Sequence, residues 1–336
     1  MKIFITGGTG FIGNHVVRRL AEGGHQLRCL ARSTSRTERL REIGAEVVVG
    51  DVTNRQSLLD GMKGCDWVVN LANFFDFWAP DDRIYTDINV VGTRNVMEAA
   101  SSTKASKVVH VSTIAIFGKA KWPITETTEL GATCASEYAR TKRAGDAIAW
   151  ELYRQGRLPL VMIYPSGVAG PDDPKAGGRY FSNVVRGNLP AQILVDKMFP
   201  WVDVRDVAEA IARALEKQDN IGERYLLAAE NLTFGDINRI LSELSGTRLP
   251  RLVLPDFMTV ALARMMTRVA DLRKKPPALD LAIDQILLMK QGFLADGSKA
   301  ARDLGFSYRP IRETFGDEVK SAMGGARELR KTGRRV

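Results

Sequence analysis

Apolar and polar positions along the chain alternate between two patterns. Short, nearly continuous apolar runs rich in β-branched residues read as buried strands. Longer stretches with an apolar residue every three or four positions read as helices with one buried face. The strands fall at Lys2–Thr6, Gln26–Ala31, Glu46–Val49, 67–71, 108–112 and 160–164. The helices between them cover 13 to about 21, 37–43, Arg55–Met62, about 84–101 and about 136–155. Strict β/α alternation with strands apolar throughout predicts an α/β fold, a doubly wound parallel sheet with helices on both faces.

Regularity fades after Tyr164. The span 165–200 is rich in Gly and Pro and reads as loop with one short helix. Residues 202–215 begin as strand and become helix, 225–229 is again strand-like, and 233 onward is mainly helical, with amphipathic stretches at 258–269 and 279–289. The expected division is a nucleotide-binding domain over 1–165 and about 201–230. About 166–200 and 231–336 would form a smaller, mostly helical substrate lobe.

The turn after the first strand carries the first chemistry. Gly7, Gly10 and Gly13 follow strand Lys2–Thr6 directly and open a helix. Gly7 permits the tight turn, Gly10 lets backbone approach a pyrophosphate, and Gly13 lets the helix pack closely on the sheet. The helix N-terminus offers free N–H groups and partial positive charge to the anion. The strand before and the helix after are the context that such a motif requires.

Composition changes this picture little. The 336 residues have an ordinary globular make-up, and no apolar run approaches a membrane span. A strand beginning at residue 2 leaves no room for a leader, so a cytoplasmic location is expected. Cys29, Cys65 and Cys134 lack ligand spacing, and His15, His25 and His110 are the only histidines. Zinc ligation and histidine acid–base catalysis are therefore not expected. The net charge of +9 sits partly in Arg273-Lys274-Lys275 and in the tail from Arg327 to Arg335. It reads as solvated surface; nucleic acid or a membrane surface is the lesser alternative.

Tyr138 and Lys142 form a YxxxK. On a helix they share one face, so phenol and ammonium converge, and the cation would draw down a phenol that ordinarily titrates near 10. An exposed surface pair is the alternative for this motif alone. Ser112 and Thr113 end the fifth strand, where parallel sheets bind ligands, and a hydroxyl there suits a substrate oxygen. Asn89 stands mid-helix against its propensity, which invites a structural or relay role.

Together with GDV (50–52), NVVGT (89–93), VSTIAIFG (111–118), YPSGVAGP (164–171) and WVDVRDVAEAI (201–211), these motifs closely resemble an extended short-chain dehydrogenase/reductase, within the NAD-dependent epimerase/dehydratase superfamily. The look is most similar to dihydroflavonol-reductase-like and hopanoid-associated sugar-epimerase-like members. The resemblance implies that Tyr138 is the acid/base, that Lys142 lowers its pKa and holds the nicotinamide ribose, and that Thr113 orients the substrate oxygen. It also implies that Asn89 helps anchor a proton-relay water. The cofactor would lie along Gly7, Thr9, Gly10, Phe11, Ile12 and Gly13, then Asp51, Val52, Leu71 and Ala72, and finally Tyr164, Pro165, Gly167 and Val168. Two departures stand out. Tyr164-Pro165 replaces the usual Arg-Pro, and YPSGVAGP lacks the Asn with which nucleotide-sugar members grip a diphosphate.

The end of the second strand carries no Asp or Glu for ribose hydroxyls. It carries Arg32, Ser33 and Arg36, which suit a 2′-phosphate, so NADP(H) is expected over NAD(H). Phe74, Phe75, Phe77 and Trp78 crowd a predicted loop after the fourth strand, more aromatics than packing usually needs. Phe74, Phe77, Trp78 and Tyr180 are the chosen substrate contacts beside Thr113 and Tyr138. Tyr164, Phe181, Met198, Phe199 and Trp201 are further candidates for the wall.

The expected activity is NADP(H)-dependent interconversion of a ketone or aldehyde with its alcohol on an apolar or aromatic small molecule. The alternatives are a nucleotide-sugar epimerase or dehydratase, in which Arg179 or Arg309 would grip the diphosphate, and a non-catalytic dinucleotide sensor or scaffold. The resemblance also implies a homodimer paired through the helices at 84–101 and 136–155, with Ile148 facing the sheet and Trp150 the partner.

Overall fold

The computed structural model describes residues 1–331, and the charged tail runs on beyond them. The first half alternates as the pattern requires: β1 (Lys2–Thr6), α1 (Phe11–Glu22), β2 (Gln26–Ala31), α2 (Glu38–Glu42), β3 (Glu46–Val49), α3 (Arg55–Met62) and β4 (Trp67–Asn70). Then come α4 (Arg83–Thr86), a π-helical segment Asp87–Gly92, α5 (Thr93–Ser102), β5 (Lys107–Val111), α6 (Glu137–Arg154) and β6 (Leu160–Pro165). Side-chain caps set several starts. Asn54 accepts from the amides of Gln56 and Ser57 at the head of α3, and Ser136 accepts from Ala139 at the head of α6.

The second half holds β7 (Gly167–Ala169), α7 (Ala176–Val185), β8 (Gln192–Ile193), β9 (Met198–Asp203), α8 (Val204–Glu216), β10 (Arg224–Leu227) and β11 (Glu230–Thr233). It closes with α9 (Phe234–Ser245), β12 (Val253–Leu254), α10 (Asp256–Arg273), α11 (Ile283–Gln291), α12 (Ser298–Leu304) and α13 (Ile311–Lys331).

Seven parallel strands form one sheet in the order β10-β6-β5-β4-β1-β2-β3. The order in which successive strands are added reverses between β1 and β4, which opens a crevice at the carboxyl ends of those strands. One face is covered by α3, α5 and α6 over a core including Phe4, Val68 and Met162; the other by α1 and α8 over Ile5, Val109 and Ile163. A third cluster, with Phe181, Trp201, Ile237 and Phe315, holds the helices of the second half together.

Four expectations are corrected. The span 165–200 is not mainly loop, since it supplies β7, α7, β8 and the start of β9; those strands are too short to leave a periodic signal. β9 lies in a separate three-stranded sheet, β11-β9-β7, not in the main one. The stretch 279–289 becomes helical only at Ile283, because Leu279 has φ +58°. Trp150 is not turned outward to a partner: its Nε1 donates to the Tyr164 hydroxyl at 3.3 Å, and Arg224 stacks 4.4 Å above its ring.

Candidate active site

The glycine turn is built by close backbone contacts. Gly7 has φ +73°, and a Cβ there would lie 2.6 Å from the Leu71 carbonyl carbon, so only glycine lets the turn pass against the end of β4. Gly10 caps α1 with no side-chain bond, leaving the first-turn amides to a ligand. A Cβ on Gly13 would fall 2.1 Å from the Gly7 carbonyl oxygen, so the third glycine packs on the turn itself rather than on the sheet. Thr9, Phe11 and Ile12 are half-buried along the same turn.

The other predicted cofactor positions surround that crevice. Asp51 accepts from the Thr53 amide and hydroxyl, each at 2.8 Å, which shapes the turn after β3; Val52 is buried beside Gly92. Leu71 and Ala72 follow β4, with the Ala72 amide donating to Thr6 Oγ1 at 3.2 Å. Arg32, Ser33 and Arg36 are exposed past the end of β2, and among the described residues neither arginine is in an ion pair. Pro165 ends β6, and Gly167 and Val168 lie half-buried in β7. The Tyr164 ring is buried in the core against Phe117, centroids 5.7 Å apart, so it is the backbone of this residue, at the end of β6, that faces the crevice end of the sheet. Its neighbour Ser166, passed over in the sequence, holds a buried hydroxyl without a partner among the described residues.

Tyr138 and Lys142 stand one turn apart on α6, both buried. Lys142 donates from Nζ to the Val111 carbonyl at 2.9 Å, which ties α6 to the end of β5. Burial pushes the Tyr138 phenol upward; Thr113 draws it back down. Burial also lowers Lys142, opposed by the Asp146 carboxylate. Asn89 is fully buried on the π segment. Its Oδ1 accepts from the Phe74 amide at 2.8 Å, and its Nδ2 donates to the Phe74 carbonyl and to Thr141 Oγ1. These bonds hold the 74 loop to α6 and, among the described residues, use one of the two lone pairs of Oδ1.

A polar chain unforeseen in the sequence runs beneath the site. The Ala72 amide donates to Thr6, and Thr6 Oγ1 donates to Asn70 Oδ1 at 2.5 Å. Asn70 Nδ2 meets His110 Nδ1 at 3.0 Å, and His110 Nε2 meets Asp146 Oδ1 at 3.2 Å. Since an amide nitrogen only donates, Nδ1 accepts and the imidazole proton sits on Nε2, facing Asp146. Burial and Lys142 lower His110, consistent with a neutral ring. Ser112 donates to Asp146 Oδ2 at 2.6 Å. Of the two hydroxyls ending β5, Ser112 therefore points inward, and Thr113, half-exposed, is the one beside Tyr138. The available signal was spacing: Tyr138, Lys142 and Asp146 recur every four residues, which puts all three on one helix face.

The aromatic loop divides unexpectedly. Phe75, not among the chosen contacts, packs edge-on against Tyr138 with centroids 5.0 Å apart. Phe74 packs on Tyr85. Phe77 and Trp78 face a cleft of about 650 Å³ shared with Tyr85, Ser136, Arg143, Thr267 and Asp284, and Trp78 Nε1 donates to Asp271 at 2.9 Å. Tyr180 is corrected as a contact: it donates to Asn238 Oδ1 at 2.6 Å and packs in the third cluster. Phe181 and Trp201 are buried in that cluster and Phe199 packs on it, so they hold the lobe together instead of lining the cleft.

The profile of the NAD dependent epimerase/dehydratase family matches residues 3–228. The chain is 30% identical to a putative dihydroflavonol 4-reductase of Synechocystis sp., covering 94% of this chain and 93% of the relative. It is 27% identical to a 4-hydroxy-2-methyl-3-oxo-4-farnesyl-3,4-dihydroquinoline-1-oxide ketoreductase of Stigmatella aurantiaca, covering 96% of each. The crystal structure of gox2253 superposes with TM-score 0.82 at 30% identity, over 99% of both chains.

Proposed function

This chain belongs to the NAD dependent epimerase/dehydratase family, and we propose that it is an NADP(H)-dependent oxidoreductase interconverting a ketone or aldehyde with its alcohol on an apolar or aromatic small molecule. The observation that carries the reading is one arrangement: Tyr138 lies against Phe75, with Thr113 beside the phenol and Lys142 anchored to Val111 on the next turn of α6. The residues present suit a phosphorylated dinucleotide. The glycine turn offers amides without a side-chain cap, and among the described residues the Ser166 hydroxyl has no partner and Arg32 and Arg36 are in no ion pair. When bound, the cofactor supplies or accepts the hydride. Thr113 holds the substrate oxygen, Tyr138 exchanges its proton, and Lys142 keeps a positive charge beneath.

An apolar substrate is favoured over a nucleotide sugar because the candidate diphosphate partners are engaged elsewhere. Arg179 pairs with Asp280 at 2.8 Å and Arg309 with Asp206 at 2.5 Å. In this reading 1–165 and about 201–230 hold the cofactor, about 166–200 and 231–336 form the substrate lobe, and the protein works as a cytoplasmic homodimer through the helices at about 84–101 and 136–155. The test is a panel of hydrophobic and aryl carbonyl compounds followed by net NADPH consumption. Net turnover with these supports the reading; isomerisation of UDP- or dTDP-sugars without net turnover would replace it with the epimerase.

Cofactor preference is checked separately. Arg32→Ala is expected to weaken NADPH by roughly ten- to a hundredfold, the loss of a charge-assisted bond, and to leave NADH nearly unchanged. Equal losses for both cofactors, measured by fluorescence titration, would show that Arg32 does not touch a 2′-phosphate.

A further inference from the structure

Helix α10 presents an unusual outer face. Thr259, Val260, Ala263 and Ala270 hold its inner side to the body of the protein. The opposite side exposes Phe257, Met258, Met265, Val269 and Leu272, the last 86% exposed, where a surface helix normally shows polar residues. Leu252 and Val253 before the helix and Leu279 after it extend the apolar row. Arg264, Arg268 and Arg273 are interleaved with that row, and Lys275 lies just past it; among the described residues none of the four is in an ion pair. The two acids of the helix are engaged elsewhere. Asp256 pairs with Lys197 at 3.1 Å, and Asp271 accepts from Trp78.

We propose that this face is an interfacial anchor that rests on an anionic phospholipid bilayer. An apolar row flanked by arginines suits the boundary between acyl chains and phosphates, with the apolar side chains inserted and the guanidinium groups at the headgroup level. Eighteen residues give a contact about 27 Å long. A second copy of the chain is a poorer occupant, because a two-fold contact would bring the arginines of the two helices together. No described helix is long and apolar enough to cross a membrane, so the contact lies on the surface. The same helix contributes Thr267 and Asp271 to the cleft that holds Phe77 and Trp78. An anchored α10 would therefore hold that cleft close to the lipid surface.

The experiment is sedimentation of the full chain with vesicles of phosphatidylcholine containing one third phosphatidylglycerol, against phosphatidylcholine alone. At about 0.1 M salt the anionic vesicles are expected to bind at least about tenfold more protein, and the excess should shrink at about 0.5 M salt. Met265→Glu with Leu272→Glu, and separately Arg264→Gln with Arg268→Gln, should each weaken binding by about tenfold or more. All four side chains are exposed, and unchanged thermal melts and NADPH titration would show that fold and cofactor site persist. Absence of binding to anionic vesicles at micromolar protein, or binding untouched by both double variants, would overturn the proposal. So would a dimer that Met265→Glu with Leu272→Glu splits into monomers, which would assign the face to a second copy.

Discussion

Tyr138→Phe is expected to lower kcat for carbonyl reduction by about 10²- to 10⁴-fold while NADPH affinity changes little. The substitution removes only the hydroxyl. The ring keeps its packing on Phe75 and in the small cluster with Ala79 and Tyr85, so the fold should be retained. Among the described residues the nearby alternatives are engaged elsewhere: His110 is turned to Asn70 and Asp146, Ser112 to Asp146, and Lys142 to the Val111 carbonyl. The sign of the pH dependence follows from the burial that holds the phenol above its ordinary range. Reduction needs the protonated form, so its rate should stay level through neutrality and fall only in alkali. Oxidation of the alcohol needs the phenolate, so its rate should climb with pH over the same range. Steady-state kinetics in both directions check this. A variant keeping more than about a tenth of kcat, or a wild-type reduction rate falling below pH 8, would remove Tyr138 from the proton step.

The main sheet was legible for a physical reason. Strands buried on both faces are apolar throughout, and the runs around Ile3–Ile5, Val68–Val69 and Val108–Val109 leave no other reading. The second half was harder to read because β8 and β12 are two residues long and β7 is three, too short for any alternation to register. In the site, Tyr138, Lys142 and Thr113 were visible because helix spacing and strand ends fix direction. The aromatic loop has no such period. Its sequence showed that Phe74, Phe75, Phe77 and Trp78 were too many, but only tertiary packing decides which one meets Tyr138. The same holds for Tyr164 and Trp201, whose rings fit a wall or a core equally well until the neighbouring elements are placed. Asn89 was singled out for being mid-helix, and the structure supplies a mechanical cause: its amide closes the gap between the π segment, the 74 loop and α6.

The polar chain ending on Asp146 yields the other large effect. Asp146→Ala is expected to destabilise the protein by about 3–5 kcal/mol and to depress kcat along with it. The carboxylate accepts from His110 Nε2 and from Ser112, and it is the group that supports the Lys142 cation against the pull of burial. His110 and Lys142 are both fully buried, so neither can turn to water when the acceptor is lost. The bonds also share one direction, from the Ala72 amide through Thr6, Asn70 and His110 to the carboxylate, so each link polarises the next and losing the terminus loosens the whole row. That row joins the turn beside Gly7 to the helix face bearing Tyr138, which places cofactor cradle and proton donor on one rigid frame. The Asp146 carboxylate is also one of the groups that hold the Tyr138 phenol up, so its loss should let the phenol ionise at a lower pH than in the wild type, moving the alkaline limb of kcat for reduction toward neutrality. Asp146→Asn, which keeps the shape and removes the charge, separates the two roles. It should recover part of the stability but not the position of that limb. Urea unfolding with pH–rate profiles for both variants is the measurement. A stability loss below about 1 kcal/mol with an unmoved alkaline limb would show Asp146 to be a bystander among well-packed neighbours.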